Sequence, residues 1–235
     1  MIEPFLLAAA LLAAQIDPAS GPVRPISIER AAFAMGTTLA IRVDASERSD
    51  GLAASEAALR ALEGAERRLS TWQEGSELER FNGAAPGARL ELSAELAREL
   101  ARAEHWRLET GGAFDPAVAD LVELYGLRAG GRVPNALELE RALARRAQGT
   151  ALELAGTTAV RGPLALEEGG FAKGAGLDAA LAVLAGEPIQ SASLDLGGQV
   201  AVLGGGNERF TWTLADPRDR LRPVLAYTIE SGSVA

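Results

Sequence analysis

Apolar and polar residues alternate in TTLAIRV (37–43), which sets Thr37, Leu39, Ile41 and Val43 on one side and predicts a half-buried strand. The period then changes. From Asp50, a candidate cap, Leu52, Leu59, Leu62 and Leu69 fall on one stripe and predict a long helix. A second long helix is expected over 93–109. Ser93 caps it, Leu96, Leu100, Ala103 and Trp106 face inward, and Gly111 stops it from just past its end. Asn135 opens another, running to about Arg146. Short strands are expected near 151–155 and 158–161, then a helix from about Gly174 to Ala185. Strands near 192–196, 199–203, 211–214 and 224–229 complete the chain. Helices mostly come first and strands mostly last, which favours an α+β fold over a regular alternating sheet. There is no internal repeat, and no long linker interrupts residues 30–235.

Ahead of these elements lies FLLAAALLAA (5–14). It is too short to span a bilayer and resembles the apolar core of an export signal, although Glu3 stands where such signals carry Lys or Arg. The other reading is a short apolar helix packed on the body. Pro18, Pro22 and Pro25 mark residues 15–25 as a linker.

Composition narrows the chemistry. The 235 residues are 48% hydrophobic, enough for one large domain or two small lobes with a sizeable core. A net charge of −9 with no basic block argues against nucleic acid as a partner. The absence of Cys removes disulfides, thiolate zinc sites, a Cys nucleophile and a lipoprotein cysteine. His105 is the only histidine, and it reads as a surface or satisfied side chain, so catalytic triads and His-rich metal sites are nearly excluded. A metal here would rest on oxygen ligands, which points to Mg²⁺ or Ca²⁺.

Five stretches carry candidate chemistry. MGT (35–37) precedes the first strand, where a glycine allows close approach or a bulge. STWQEGSELERFN (70–82) places Trp72 just past a helix end, as core or as a stacking ring, with Ser76 capping a short helix. GGAFDPAV (111–118) holds Asp115 extended before Pro116, either in an Asx-type turn or as an acceptor for a ligand. EEGGFAKGAGLDAA (167–180) contains Gly174, Gly176 and Ala179 in a pattern suited to a phosphate-binding turn, with Lys173 as a cation. In the same stretch Glu167 and Glu168 read as a solvated face, and Asp178 favours the positive end of the following helix. SLDLGGQVAVLGGG (193–206) reads as strand, Gly-Gly corner and strand, a tight hairpin that also lets a flat ring approach at Gly197 and Gly198.

Together and in this order, MGT, S-T-aromatic with S-E-L-x-R-F-N, G-G-A-F-D-P, G-G-F-A-K-G-x-x-x-D, L-G-G and W-x-x-x-D-P resemble the ApbE family, the FAD:protein FMN transferases. The resemblance covers residues 33–235, and it implies mixed α/β lobes, related to the T-fold, with an antiparallel sheet. Residues 26–235 would form that domain, behind the signal-like segment and linker of 1–25. It further implies binding of FAD and Mg²⁺ and transfer of FMN to a Thr hydroxyl of an acceptor flavoprotein, with AMP leaving. Hydrolysis of FAD to FMN and AMP, and flavin binding without catalysis, are the alternatives. The implied location is the periplasm or the periplasmic face of the inner membrane. By motif position Met35, Trp72, Ala113, Phe114, Asp115, Glu167 and Lys173 would contact FAD, with Asp115 on the adenine side. Glu167 stands where the family often has Asp, and Trp72 where it often has Tyr. The carbonyl of Gly170 would ligate the metal. The family's T-S-G turn and its His-x-(I/V)-(I/L)-D-P-x-(T/S)-G motif are expected beyond Ala235. Those residues would supply the metal's Asp and Thr ligands and a nucleotide-contacting His. The strand at 224–229 would then be left with an open edge.

Overall fold

A computed structural model of the chain describes residues 25–146, 149–204 and 209–235. FLLAAALLAA and all of the linker except Pro25 lie outside the described residues. The first elements are two strands, β1 (Ile26–Ala34) and β2 (Thr37–Ala45), paired antiparallel from Ile26↔Ala45 to Ala34↔Thr37. β2 matches the alternation read from the sequence: Leu39, Ile41 and Val43 are buried while Thr38, Ala40 and Arg42 are exposed. β1 does not announce itself, because as an outer strand it buries only Ile28 and Ala34.

The helix α1 (Arg48–Leu69) has Glu47 at its N-cap without a side-chain cap bond, and Asp50 lies within its first turn rather than capping it. Its buried stripe is largely small: Ala54, Ala58, Leu62, Ala65 and Leu69 are buried, whereas Leu52 is exposed. Small residues let α1 lie close to α6 (Ala172–Leu184), and both pack on β2 and on β6 (Ser191–Leu196). With β7 (Gln199–Leu203) and β10 (Gly232–Val234) these strands form a five-stranded sheet in the order β1-β2-β6-β7-β10. β6 and β7 join through Gly197 and Gly198, both in the left-handed region, as a two-residue hairpin requires.

Between α1 and α6 the chain builds a second core. It contains α2 (Glu77–Gly83), β3 (Arg89–Glu91), α3 (Ala94–Glu109), α4 (Ala119–Leu124), a 3-10 turn (Leu127–Ala129) and α5 (Ala136–Arg146). The strands β4 (Leu152–Ala155) and β5 (Thr158–Arg161) complete a three-stranded sheet in the order β3-β5-β4. Ser76 and Ser93 cap α2 and α3 as the sequence predicts, and Asn135 and Glu138 exchange bonds of 3.0 and 2.8 Å in a capping box at α5. Trp106 departs from expectation: it is 56% exposed, because α3 buries Leu96, Ala97, Leu100 and Ala103 instead. Last, β8 (Phe210–Asp216) and β9 (Asp219–Ile229) pair only with each other. The described elements are helices packed on antiparallel sheets, so the α+β class stands.

Candidate functional site

Met35 and Gly36 form the β1–β2 turn, at φ 50° and 73°. The MGT motif is therefore a tight hairpin turn and not a bulge. Met35 is the only described non-glycine residue at positive φ, a conformation that costs an ordinary side chain about 1–2 kcal/mol. Packing holds it there: the Met35 side chain rests against both cores. A Cβ placed on Gly176 would lie 2.7 Å from the Met35 sulfur and 3.0 Å from Leu62. Gly174 and Gly176 thus sit inside α6, which starts at Ala172, and are no phosphate-binding turn. Gly176 is a notch for Met35.

The segment before α6 is pinned from two sides. Asn82 accepts from the Leu166 N–H at 2.9 Å and donates to its carbonyl at 2.8 Å. Pro116 offers its carbonyl to the Glu167 N–H at 2.7 Å. Glu167 and Glu168 follow, and both are buried, in contrast to the solvated face expected of them. Each carboxylate has a partner. Arg128 donates to Glu167 at 2.7 Å, and the Thr71 hydroxyl donates to Glu168. Burial pushes the Glu167 carboxyl up; the Arg128 bond opposes that shift, and the charge of Glu168 adds to it. The Arg128 guanidinium also lies over the Trp72 ring, 4.4 Å from its centroid. Trp72 itself is 63% exposed, so it is not a core residue.

A cavity of about 520 Å³ opens beside this network, lined by Phe33, Met35, Trp72, Glu168, Gly169 and Lys173 among others. Lys173 stands in the first turn of α6, which has no acidic residue and no side-chain cap. The Glu168 carbonyl accepts from the Phe171 and Ala172 N–H groups at that helix start, and Glu66 and Glu168 line the cavity with Lys173, so Lys173 is its cation among acidic neighbours, while the indole and thioether suit a flat ring. A second cavity, of about 450 Å³, contains Trp106, Phe114, Gly170, Gly174 and Ser233. Gly169 lines one cavity and Gly170 the other, so the two flank the same loop.

The structure therefore brings Met35, Trp72 and Lys173 together and sets Phe114 with Gly170 next door. Asp115 is drawn elsewhere. Its carboxylate accepts from the Ala117 N–H at 2.9 Å, the Asx turn that Pro116 favours, and pairs with Arg146. Ala113 is exposed and lines neither cavity. Glu167 lines neither either; it faces Arg128. His105 is exposed, as read. Among the described residues no group of three or more His, Cys, Asp or Glu side chains could hold a metal. The Gly170 carbonyl alone makes no magnesium shell, so the described residues do not fit the ion by themselves. Sequence reasoning missed Arg128, Arg146 and Phe33. Arg128 and Arg146 sit in no motif, and Phe33 enters the site only through the unannounced strand β1.

The profile of the ApbE family matches residues 35–235. The chain is 33% identical over 221 residues to the FAD:protein FMN transferase of Rhodobacter capsulatus, covering 89% of this chain and 40% of that protein. It is 27% identical over 243 residues to the FAD:protein FMN transferase of Treponema pallidum, covering 93% of this chain and 66% of that protein. The crystal structure of the ApbE protein from Thermotoga maritima superposes with a TM-score of 0.78 at 25% identity, over 89% of this chain and 70% of that one. The chain thus spans 40% and 66% of the length of these two curated relatives.

Proposed function

The chain belongs to the ApbE family, and from that premise we propose that it binds FAD and acts as an FAD:protein FMN transferase. The observation that carries this reading is the convergence of Met35, Trp72 and Lys173 on one cavity beside the α6 N-terminus. In this reading the Trp72 indole stacks on a ring of FAD, Lys173 faces its phosphates, and the Gly169–Gly170 loop runs between the two halves of the dinucleotide. The cavity holding Phe114 takes the other half. Asp115 acts at one remove: its Asx turn and its bond to Arg146 fix the Pro116 carbonyl that anchors Glu167.

The finer chemistry is proposed with it. A Thr hydroxyl of an acceptor protein attacks the FMN phosphorus, the pyrophosphate P–O bond breaks, the hydroxyl proton passes to solvent and AMP leaves with the bridging oxygen. Magnesium would neutralise the pyrophosphate charge, with the Gly170 carbonyl as one donor; no step is assigned to it on these residues. The signal-like segment at 5–14 supports placing the protein on the periplasmic side.

Titrating the purified chain with FAD and following flavin fluorescence tests the reading. Saturable quenching is expected, and Trp72→Ala should weaken affinity by about 1–3 kcal/mol, the usual worth of one aromatic stack. No spectral change with FAD defeats the flavin reading. Adding Mg²⁺ and a Thr-bearing acceptor then separates the outcomes: FMN bound covalently to the acceptor supports transfer, whereas free FMN with AMP supports hydrolysis.

A further inference from the structure

Arg128 belongs to no motif, yet it contacts three parts of the wall beside the flavin cavity. Its guanidinium lies over Trp72 at 4.4 Å, one nitrogen donates to the Thr71 carbonyl at 2.9 Å, and the other donates to the Thr71 hydroxyl and to Glu167. A planar fork with several donors makes all these contacts at once, which a single ammonium cannot do. The backbone under Arg128 is closed as well. Gly126 and Gly130 take left-handed conformations at the two ends of its 3-10 turn. Across the same loop Gly131 donates to Gly126 at 2.9 Å, and Arg132 donates to Tyr125 at 2.7 Å. Arg132 in turn pairs with Glu138 on α5 at 3.0 Å.

Trp72 lines the cavity of Met35 and Lys173, and Arg128 does not. Arg128 instead lines a separate cavity with Thr71, Asn82 and Leu166. Arg128 thus touches the indole without lining the cavity of Met35 and Lys173, and the ring remains 63% exposed.

We propose that Arg128 is a positioning residue of the flavin site: it holds the Trp72 indole, so that the ring is the fixed wall on which the ligand ring stacks, and it ties that wall to the Glu167–Glu168 loop. The proposal rests on the flavin reading above. Arg128 touches no ligand in this role and transfers no group.

The chain has three tryptophans, so Trp106→Phe with Trp212→Phe leaves Trp72 as the only indole. In that background, without ligand, Arg128→Ala should lower the fluorescence anisotropy of Trp72 and raise its quenching by iodide. FAD affinity should fall roughly tenfold, the combined scale of a cation–π contact and a lost ring orientation. Arg128→Lys keeps the charge and should recover only part of both signals. It also carries the test should Arg128→Ala melt early. Unchanged ligand-free anisotropy and quenching would overturn the proposal, whatever FAD does. So would altered Trp72 signals with unaltered FAD affinity. If the unsubstituted chain fails to bind FAD, the flavin reading falls and takes the stacking assignment with it. The ligand-free anisotropy distinguishes that failure from an error about Arg128 alone.

Discussion

Glu167 and Glu168 are adjacent, buried and acidic, and among the described residues Arg128 is the cation paired with them. Burial first, with Glu168 adding, holds the Glu167 carboxyl above its ordinary range despite Arg128. The folded chain then keeps a proton on Glu167 at pH values where the unfolded chain has released it. A raised acid gives stability that is full below the unfolded pKa and lost as pH rises through the folded one. Glu167→Gln removes the titration and still offers Arg128 an acceptor. The melting temperature of the unsubstituted chain should therefore fall relative to Glu167→Gln as pH is raised past the ordinary carboxylate range. Parallel melting curves across that range would show that Glu167 titrates normally. The same pair shows what one residue type can hide: two glutamates before two glycines look like a solvated face, and only the 97-residue separation to Thr71 closed in space makes Glu168 a buried partner.

At the level of elements, α1 and α6 decide where the cavity lies. Leu62 is fully buried between them, so Leu62→Ala should cost about 2–5 kcal/mol, read as a lower melting temperature. A loss well under 1 kcal/mol would mean that the neighbours collapse onto the site. Gly176→Ala is a subtler change. It gains roughly 1 kcal/mol of helix propensity and loses about 1–3 kcal/mol to overpacking, since the new Cβ meets Met35 and Leu62. The net change in stability should lie between about zero and a loss of about 2 kcal/mol, while Met35 is pushed toward the cavity and FAD affinity drops severalfold in the same fluorescence titration. An affinity equal to that of the unsubstituted chain would separate Met35 from the ligand. These elements also show what the sequence made legible. Strand β2, the caps Ser76, Ser93 and Asn135, and the Gly197–Gly198 corner rest on local patterns, and they were readable. Strand β1 and helix α4 were not: β1 exists because β2 pairs with it, and α4 buries none of its residues. Of the residues expected at the site, Met35, Trp72 and Lys173 line one cavity. Motif order led to Met35, Trp72 and Lys173, but nothing local indicates that Asp115 would be taken by Arg146, or that Arg128 would cross to Trp72.

Across the whole molecule, stability is unevenly spread. Two cores meet at Met35, and the strands β2, β6 and β7 lie under α1 and α6. The β8–β9 ribbon shares none of this. Its pairing puts Phe210, Trp212 and Tyr227 on one face, with ring centroids 6.0 and 6.2 Å apart, while Thr211 and Thr228 meet hydroxyl to hydroxyl at 3.1 Å on the other. Stacked aromatics add roughly 0.5–1.5 kcal/mol per pair, yet none of the ribbon's residues is buried. A lone two-stranded ribbon is marginal in water, because neither face removes enough apolar surface to offset the ordering of its backbone. Opening of the ribbon should therefore occur without opening of the cores. Native-state hydrogen exchange of this chain should show the amides of β8 and β9 exchanging well before those of β2 and β6. Trp212→Ala should hasten exchange in the ribbon and leave the β2 and β6 amides unchanged. Equal protection of ribbon and cores would instead make β8–β9 part of the cooperative unit, and the fold would then have one domain of stability where its burial pattern shows two.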